Sequence, residues 1–211
     1  MKSFSNFFTE QTRDGKIAVF AYGRFNPPSI GHLKLIEKVI STAQINKADY
    51  FIVPSHQSST KRSLSDYQKN PLTLEDRIAV LKHMVDNSKN VVSFGTTFIN
   101  TLKELQSLGY TDIIQIAGSD REKDFTDLVN RYNGQSNKEG DIPFQFNSYK
   151  VISSGQRDPD SEGVEGMSAS KLRNLAAEGK YELFKTGMAS TVPEILKLKT
   201  YKQIRKVLGV E

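Results

Sequence analysis

What most constrains this chain is an alternation. Short apolar runs are separated by longer stretches in which apolar residues recur every three or four positions. Residues 16–22 (KIAVFAY), 49–54 (DYFIVP), 90–94 (NVVSF), 112–117 (DIIQIA) and 144–153 read as strands. Runs of that length, bounded by turn residues, suit strands buried on both faces. Residues 31–43, a stretch opening at Thr73, and residues 97–108, 120–133, 168–178, 181–186 and 194–208 read as helices. In the first of these, Leu33, Ile36, Val39, Ile40 and Ala43 form one face, opposite Lys34, Glu37, Lys38 and Ser41. Thr73 with Asp76 makes a near capping box, and Gly109 stops the helix before it. Residues 55–70 and 133–141 read as polar loops.

Strands separated by helices predict parallel pairing, right-handed crossovers and helices on both sheet faces. The expected fold is α/β: a Rossmann-like, doubly wound, five-stranded parallel sheet with a C-terminal helical segment. An N-terminal arm (1–15), a domain (16–178) and a helical extension packed on it (179–211) are expected. In such sheets ligands bind beyond the carboxyl ends of the strands, at the topological switch point.

Composition narrows the partners. Hydrophobic residues make up 37% of the 211, and 12 of them are Phe, which excludes a mostly disordered chain. With no Cys, disulfides, thiolate metal sites and cysteine nucleophiles are absent. The net charge of +5 favours anionic partners. No apolar run approaches a membrane span, and the first 15 residues lack the apolar core of a secretory signal. A cytoplasmic address is expected; self-association is left open.

Two strand-to-helix junctions carry the chemistry. The first is Gly23-Arg24-Phe25-Asn26-Pro27-Pro28-Ser29-Ile30-Gly31-His32. Gly23 lets the backbone approach a ligand closely. Gly31 and His32 stand at a helix N-terminus, where free N–H groups and the dipole favour anions, and His32 adds a donor that can carry charge near neutral pH. A proline-rich turn with a surface His is the plainer alternative; the two glycines, the helix start and the placement together favour phosphate. The second junction is Gly166-Met167-Ser168-Ala169-Ser170-Lys171-Leu172-Arg173. Ser168 suits an N-cap, and Arg173, one turn in, offers a planar fork for phosphate oxygens. Alone, it reads better as a capped helix with a solvated Arg.

Together these segments resemble the nucleotidyltransferase superfamily. Ser29-Ile30-Gly31-His32 is similar to its (His/Thr)-x-Gly-His signature, with Ser as a departure. Ser168-Ala169-Ser170-Lys171-Leu172-Arg173 matches the spacing of its Ser-Ser/Thr-Ser/Thr-x-x-Arg element, the middle hydroxyl being lost at Ala169. The Gly23–Pro28 turn looks most like nicotinamide and nicotinate mononucleotide adenylyltransferases, phage-encoded members among them. Gly118-Ser119-Asp120 is similar to their Gly-x-Asp, although Asp120 also suits a helix N-cap. Arg77 lies in a segment resembling the family's Arg-x-x-x-Leu helix; it reads either as an acceptor-phosphate contact or as the partner of a neighbouring acid. Lys61 is the best-spaced cation of the 55–70 loop.

The resemblance implies in-line transfer of AMP from ATP to the phosphate of nicotinamide or nicotinate mononucleotide, with release of pyrophosphate. It implies His32 and Arg173 as catalytic residues. It implies Gly23, Arg24, Phe25, Ser29, Gly31, Gly118, Asp120, Ser168 and Ser170 beside them in nucleotide binding, and Lys61 and Arg77 in acceptor binding. Mg²⁺ would bridge phosphate oxygens as cofactor and needs no protein metal cluster. Glu165-Gly166 is similar to cytidylyltransferases and keeps that substrate in view, beside pantetheine-phosphate adenylyltransferase. Outside the enzyme class stand a nucleotide sensor and a nucleic-acid binder. The basic stretch 196–206 supports the latter, but Ile195, Leu198, Tyr201, Ile204 and Leu208 recur at helical spacing and suggest a helix docked on the domain instead.

Overall fold

Ala18, Val19, Phe20 and Ala21 are without exposed surface, the mark of a central strand in a sheet covered on both faces. They belong to β1 (Lys16–Gly23) of a computed structural model that describes residues 15–56, 63–155 and 167–210. The other strands are β2 (Asp49–Pro54), β3 (Tyr110–Ala117) and β4 (Ser148–Ser153). The helices are α1 (Leu33–Asn46), α2 (Leu64–Lys69), α3 (Leu74–Leu81), α4 (Phe98–Ser107), α5 (Glu122–Tyr132), α6 (Ala169–Ala177), α7 (Tyr181–Thr186) and α8 (Glu194–Leu208).

The sheet order is β2-β1-β3-β4 and every pair is parallel. Alternate residues of the strands feed two cores. Val19, Ala21, Ile114 and Ile116 pack with α1, α3, α6, α7 and α8. Ala18, Phe20, Ile113 and Ala117 pack with α4 and α5, where Phe98 and Phe125 stack 4.8 Å apart. Helices therefore cover both faces. None of the described helices is long and apolar enough to cross a membrane.

Among the described residues the sheet has four strands, not the five expected. Residues 90–94 make a single parallel bridge, Val91 to Ile52. A 3-10 turn at Ser88–Asn90 and the left-handed Gly95 (φ 62°) leave too few residues between them for a ladder. The last strand starts at Ser148 rather than 144, because Phe144 is drawn into a bridge with Asn133. The first helix begins as a 3-10 turn, Ile30–His32. Within the stretch read as loop, Ser63 caps the short helix α2 by accepting from the Asp66 amide. The expected cap at Thr73 is present, its hydroxyl accepting from Asp76 N at 3.2 Å.

α8 docks on a different stripe from the one its apolar spacing suggested. Lys197, Thr200, Tyr201 and Ile204 are buried, whereas Ile195 is 80% exposed and Leu198 36%. The aliphatic stem of a lysine can cover a core as leucine does. Arg205 then donates to the Ala176 carbonyl at 2.7 Å and closes the end of α6.

Candidate functional site

The connection from β1 runs to β2 on one side, and the chain later returns to β3 on the other. The crevice between the ends of β1 and β3 is thus the topological switch point. A cleft of about 970 Å³ opens there. Its wall includes Gly23, Arg24, Phe25, Gly31, His32, Arg77, Gly118, Asp120, Ser168, Ser170 and Arg173. Two junctions 141 residues apart in sequence (His32 and Arg173) face one cavity. Lys61, Glu165 and Gly166 lie outside the described residues.

The exit from β1 is built by clamps. Ser55 N donates to Gly23 O at 2.7 Å, carrying the parallel pairing past the strand ends. Asn26 is buried, and its side chain both donates to Leu72 O and accepts from Leu72 N, at 3.0 Å each. The Asn26–Pro27 peptide bond is cis. Arg77 is only 1% exposed. It donates from Nε to Thr73 O at 3.1 Å, and from one terminal nitrogen to Arg24 O at 2.6 Å and Ser55 O at 2.9 Å. Its guanidinium joins the ends of β1 and β2 to α3. Ile30 N donates to Gly187 O at 2.9 Å, tying the turn to the end of α7.

His32 is fixed by the residue three positions before it. The Ser29 amide donates to Nδ1 at 2.9 Å, and Ser29 Oγ lies 3.0 Å from the same nitrogen. An amide N–H can only donate, so Nδ1 is the acceptor and a neutral ring carries its proton on Nε2. Ser29 is fully buried beneath the ring rather than on the cleft wall. Phe25 holds the other side, its ring 5.0 Å from the imidazole. It is buried in a left-handed backbone conformation (φ 46°) that a bulky residue seldom adopts.

Phe25 in turn requires Gly23. A Cβ there would lie 3.2 Å from Phe25 Cε2 and 3.3 Å from Cζ. Gly23→Ala is therefore expected to push the Phe25 ring against His32 and lower kcat about tenfold, the scale of a small catalytic misplacement. Steady-state kinetics beside a melting curve checks this; unchanged kcat would unlink Phe25 from His32.

Arg173 reaches across from α6. It donates to Asn26 O at 2.7 Å and to Ser170 Oγ at 2.8 Å. Ser168 caps the same helix, its Oγ accepting from Lys171 N at 3.0 Å. Burial, and then the positive charge of Arg24 nearby, pull the Arg173 guanidinium below its ordinary pKa. No carboxylate among the described residues forms an ion pair with Arg24 or Arg173. Across the cleft, the Gly118 carbonyl accepts from Arg121 N and Glu122 N, so α5 starts without a side-chain cap. Asp120 is not the helix cap; it is exposed on the cleft wall, and its Oδ1 stands 2.7 Å from where a Gly118 Cβ would be.

Other wall residues escaped the sequence reading: Lys34, Ser55, Lys69, Arg121, Ser154 and Gly155. His56 also stands on the wall, with Nε2 2.6 Å from Ser93 Oγ. Ser55 and His56 follow β2, and Ser154 and Gly155 follow β4, so the strand-end rule could have found them. Among the described residues the cleft carries six cationic side chains (Arg24, Lys34, Lys69, Arg77, Arg121 and Arg173) against three carboxylates (Glu37, Asp66 and Asp120). Its balance is that of a polyanion site.

No curated protein matches the chain. Among solved structures it is similar to Thermotoga maritima TmcAL bound with alpha-thio ATP, at 12% identity and a TM-score of 0.48, covering 92% of this chain. The chain spans 56% of that protein's length, and a likeness of that size decides nothing about activity. The sequence model of the cytidylyltransferase-like family matches residues 20–174, from the middle of β1 through Arg173. Both junctions fall inside that stretch, and the chain belongs to the cytidylyltransferase-like family of nucleotidyltransferases.

Proposed function

We propose that the protein transfers AMP from ATP to the phosphate of a mononucleotide, nicotinamide or nicotinate mononucleotide, and releases pyrophosphate. The observation that carries this reading is the like-charged pair, Arg24 and Arg173, held in one cleft with His32 and without a carboxylate partner among the described residues. Two guanidinium groups kept together in this way suit an anion of more than one charge.

An acceptor phosphate oxygen attacks the α-phosphorus, a new P–O bond forms, and the bond to the bridging oxygen of the β-phosphate breaks. Charge builds on the departing pyrophosphate, and catalysis of this kind consists of positioning and electrostatic stabilisation. His32 donates from Nε2 to the α-phosphate. Arg173, the N-terminus of α6 behind Ser168, and Arg24 hold the β- and γ-phosphates. The described residues include no cluster of three acidic, His or Cys side chains able to hold a metal alone. Asp120, one of the carboxylates on the cleft wall and exposed there, would hold Mg²⁺ together with the nucleotide's own oxygens. When bound, Mg²⁺ would supply charge neutralisation on the triphosphate.

The test crosses ATP and CTP with nicotinamide mononucleotide, nicotinate mononucleotide, phosphopantetheine, flavin mononucleotide and phosphocholine, reading pyrophosphate. Release with ATP and a nicotinamide or nicotinate mononucleotide alone is expected. Release with CTP and phosphocholine instead would move the protein to alcohol-phosphate activation. Release with no pair would reject the reading. In the same assay Arg173→Ala is expected to raise the Kd for ATP at least about tenfold, the worth of one charge-assisted contact. An unchanged calorimetric Kd would contradict its role.

A further inference from the structure

We propose that Lys34 is a further ligand of the triphosphate, an ammonium on the wall of the switch-point crevice that grips the departing pyrophosphate; this rests on the transfer reading above. Lys34 stands in the first turn of α1, two residues after His32, and is exposed on the cleft wall. Its side chain does not run off into solvent. A Cβ on Gly155 would lie 3.7 Å from Lys34 Cε and 3.9 Å from Nζ. The end of the lysine is therefore packed over Gly155, directly beyond β4.

The sheet order gives that contact its meaning. α1 leaves from β1, and Gly155 follows β4, with β3 between them. Adjacent strands are about 4.8 Å apart, so the two ends lie roughly 10 Å from each other across the sheet. Lys34 and Gly155 both line the cleft beyond the strand ends, so the contact sets the ammonium on the wall of that crevice. Gly155 has φ 95°, a conformation that favours glycine, and the end of the lysine lies within van der Waals reach of it.

Among the described residues no carboxylate neutralises this charge. Lys34 forms no ion pair among the described residues, although Glu37 is one turn along the same helix. A salt bridge at that spacing is commonplace, yet the lysine instead lies toward the cleft. Arg24, Arg173 and Lys34 thus approach it from the β1–α1 turn, from α6 and from α1. Three cations from three elements match a group that gains charge as it leaves.

The test uses the full chain with Lys34→Met, which keeps the stem and removes the charge, and Lys34→Arg, which keeps the charge. Calorimetry with pyrophosphate as probe reads binding, and pyrophosphate release reads turnover. Lys34→Met is expected to weaken pyrophosphate binding at least about tenfold and to lower kcat, with an unchanged melting temperature. Lys34→Arg is expected to restore most of both. Unchanged pyrophosphate affinity in Lys34→Met, or no pyrophosphate binding by the unaltered protein, overturns the assignment. If pyrophosphate binds through Lys34 but no acceptor in the panel supports turnover, the transfer reading fails and the lysine's role as polyphosphate ligand stands.

Discussion

Replacing His32 with Ala is expected to lower kcat for pyrophosphate release by about 10²–10³, the loss that follows removal of one transition-state donor. The ring is not a loosely held surface group. Ser29 N–H fixes Nδ1 at 2.9 Å, Phe25 packs on its face at 5.0 Å, and the turn carrying it is tied to Gly187. That scaffold commits one nitrogen to the protein and assigns the proton to the other. The KM for ATP is expected to change little, because the β- and γ-phosphates are held by other groups. The variant also leaves the buried Ser29 amide without its acceptor, at a cost of about 1–3 kcal/mol. A melting curve must therefore accompany the kinetics, measured at a temperature where both proteins are folded. Single-turnover release near the rate of the unaltered protein would remove His32 from the chemistry. His32→Gln keeps a neutral donor and is expected to fall between the two.

The centre of the sheet was legible in the sequence because both of its faces are buried. KIAVFAY has no polar alternation to mislead, and its position before Gly23 located the cleft. The failures lie where one face is solvent or where partners come from afar. α2 buries no residue, so it carries no apolar period; its one signal was the reciprocal pair Ser63 and Asp66, three apart. Residues 90–94 have strand composition, but the turns around them decide how many ladder bonds form. In α8, Tyr201 and Ile204 belong to both the expected and the observed stripe, and the phase differs because Lys197 is buried by its stem. Lys34 was placed on the polar face of α1, which is correct; that this face borders a cleft depends on β4, more than a hundred residues later. Phe25 was identified as part of a motif, whereas its backbone conformation and its packing on His32 follow only from the folded turn.

Arg77 gives the sharpest separation between binding and architecture. The sequence leaves two readings of it, an acceptor contact or a partner for a nearby acid. In the structure Nε and one terminal nitrogen donate to the carbonyls of Thr73, Arg24 and Ser55, on three separate segments. Arg77→Met removes a buried charge whose acceptors then remain in place without it. Leaving three carbonyls unsatisfied, at about 1–3 kcal/mol each and less than additively, costs about 3–5 kcal/mol. For a domain of this size that is a fall in melting temperature of roughly 6–20 °C. Arg77→Lys keeps the charge but not the fork, and is expected to lose more than half as much. Because Arg24 and Ser55 flank the cleft, kcat should fall with stability, and His32→Ala and Arg77→Met should combine less than additively in kcat, since both disturb the turn after β1. An acceptor-binding Arg77 predicts another pattern: a raised KM for the mononucleotide, an unchanged KM for ATP and an unchanged melting temperature. Thermal denaturation of Arg77→Met followed by circular dichroism, with both KM values measured below the transition, distinguishes the two. A melting temperature within 2 °C (roughly 1 kcal/mol) of the unaltered protein would show that the three carbonyls do not depend on this guanidinium.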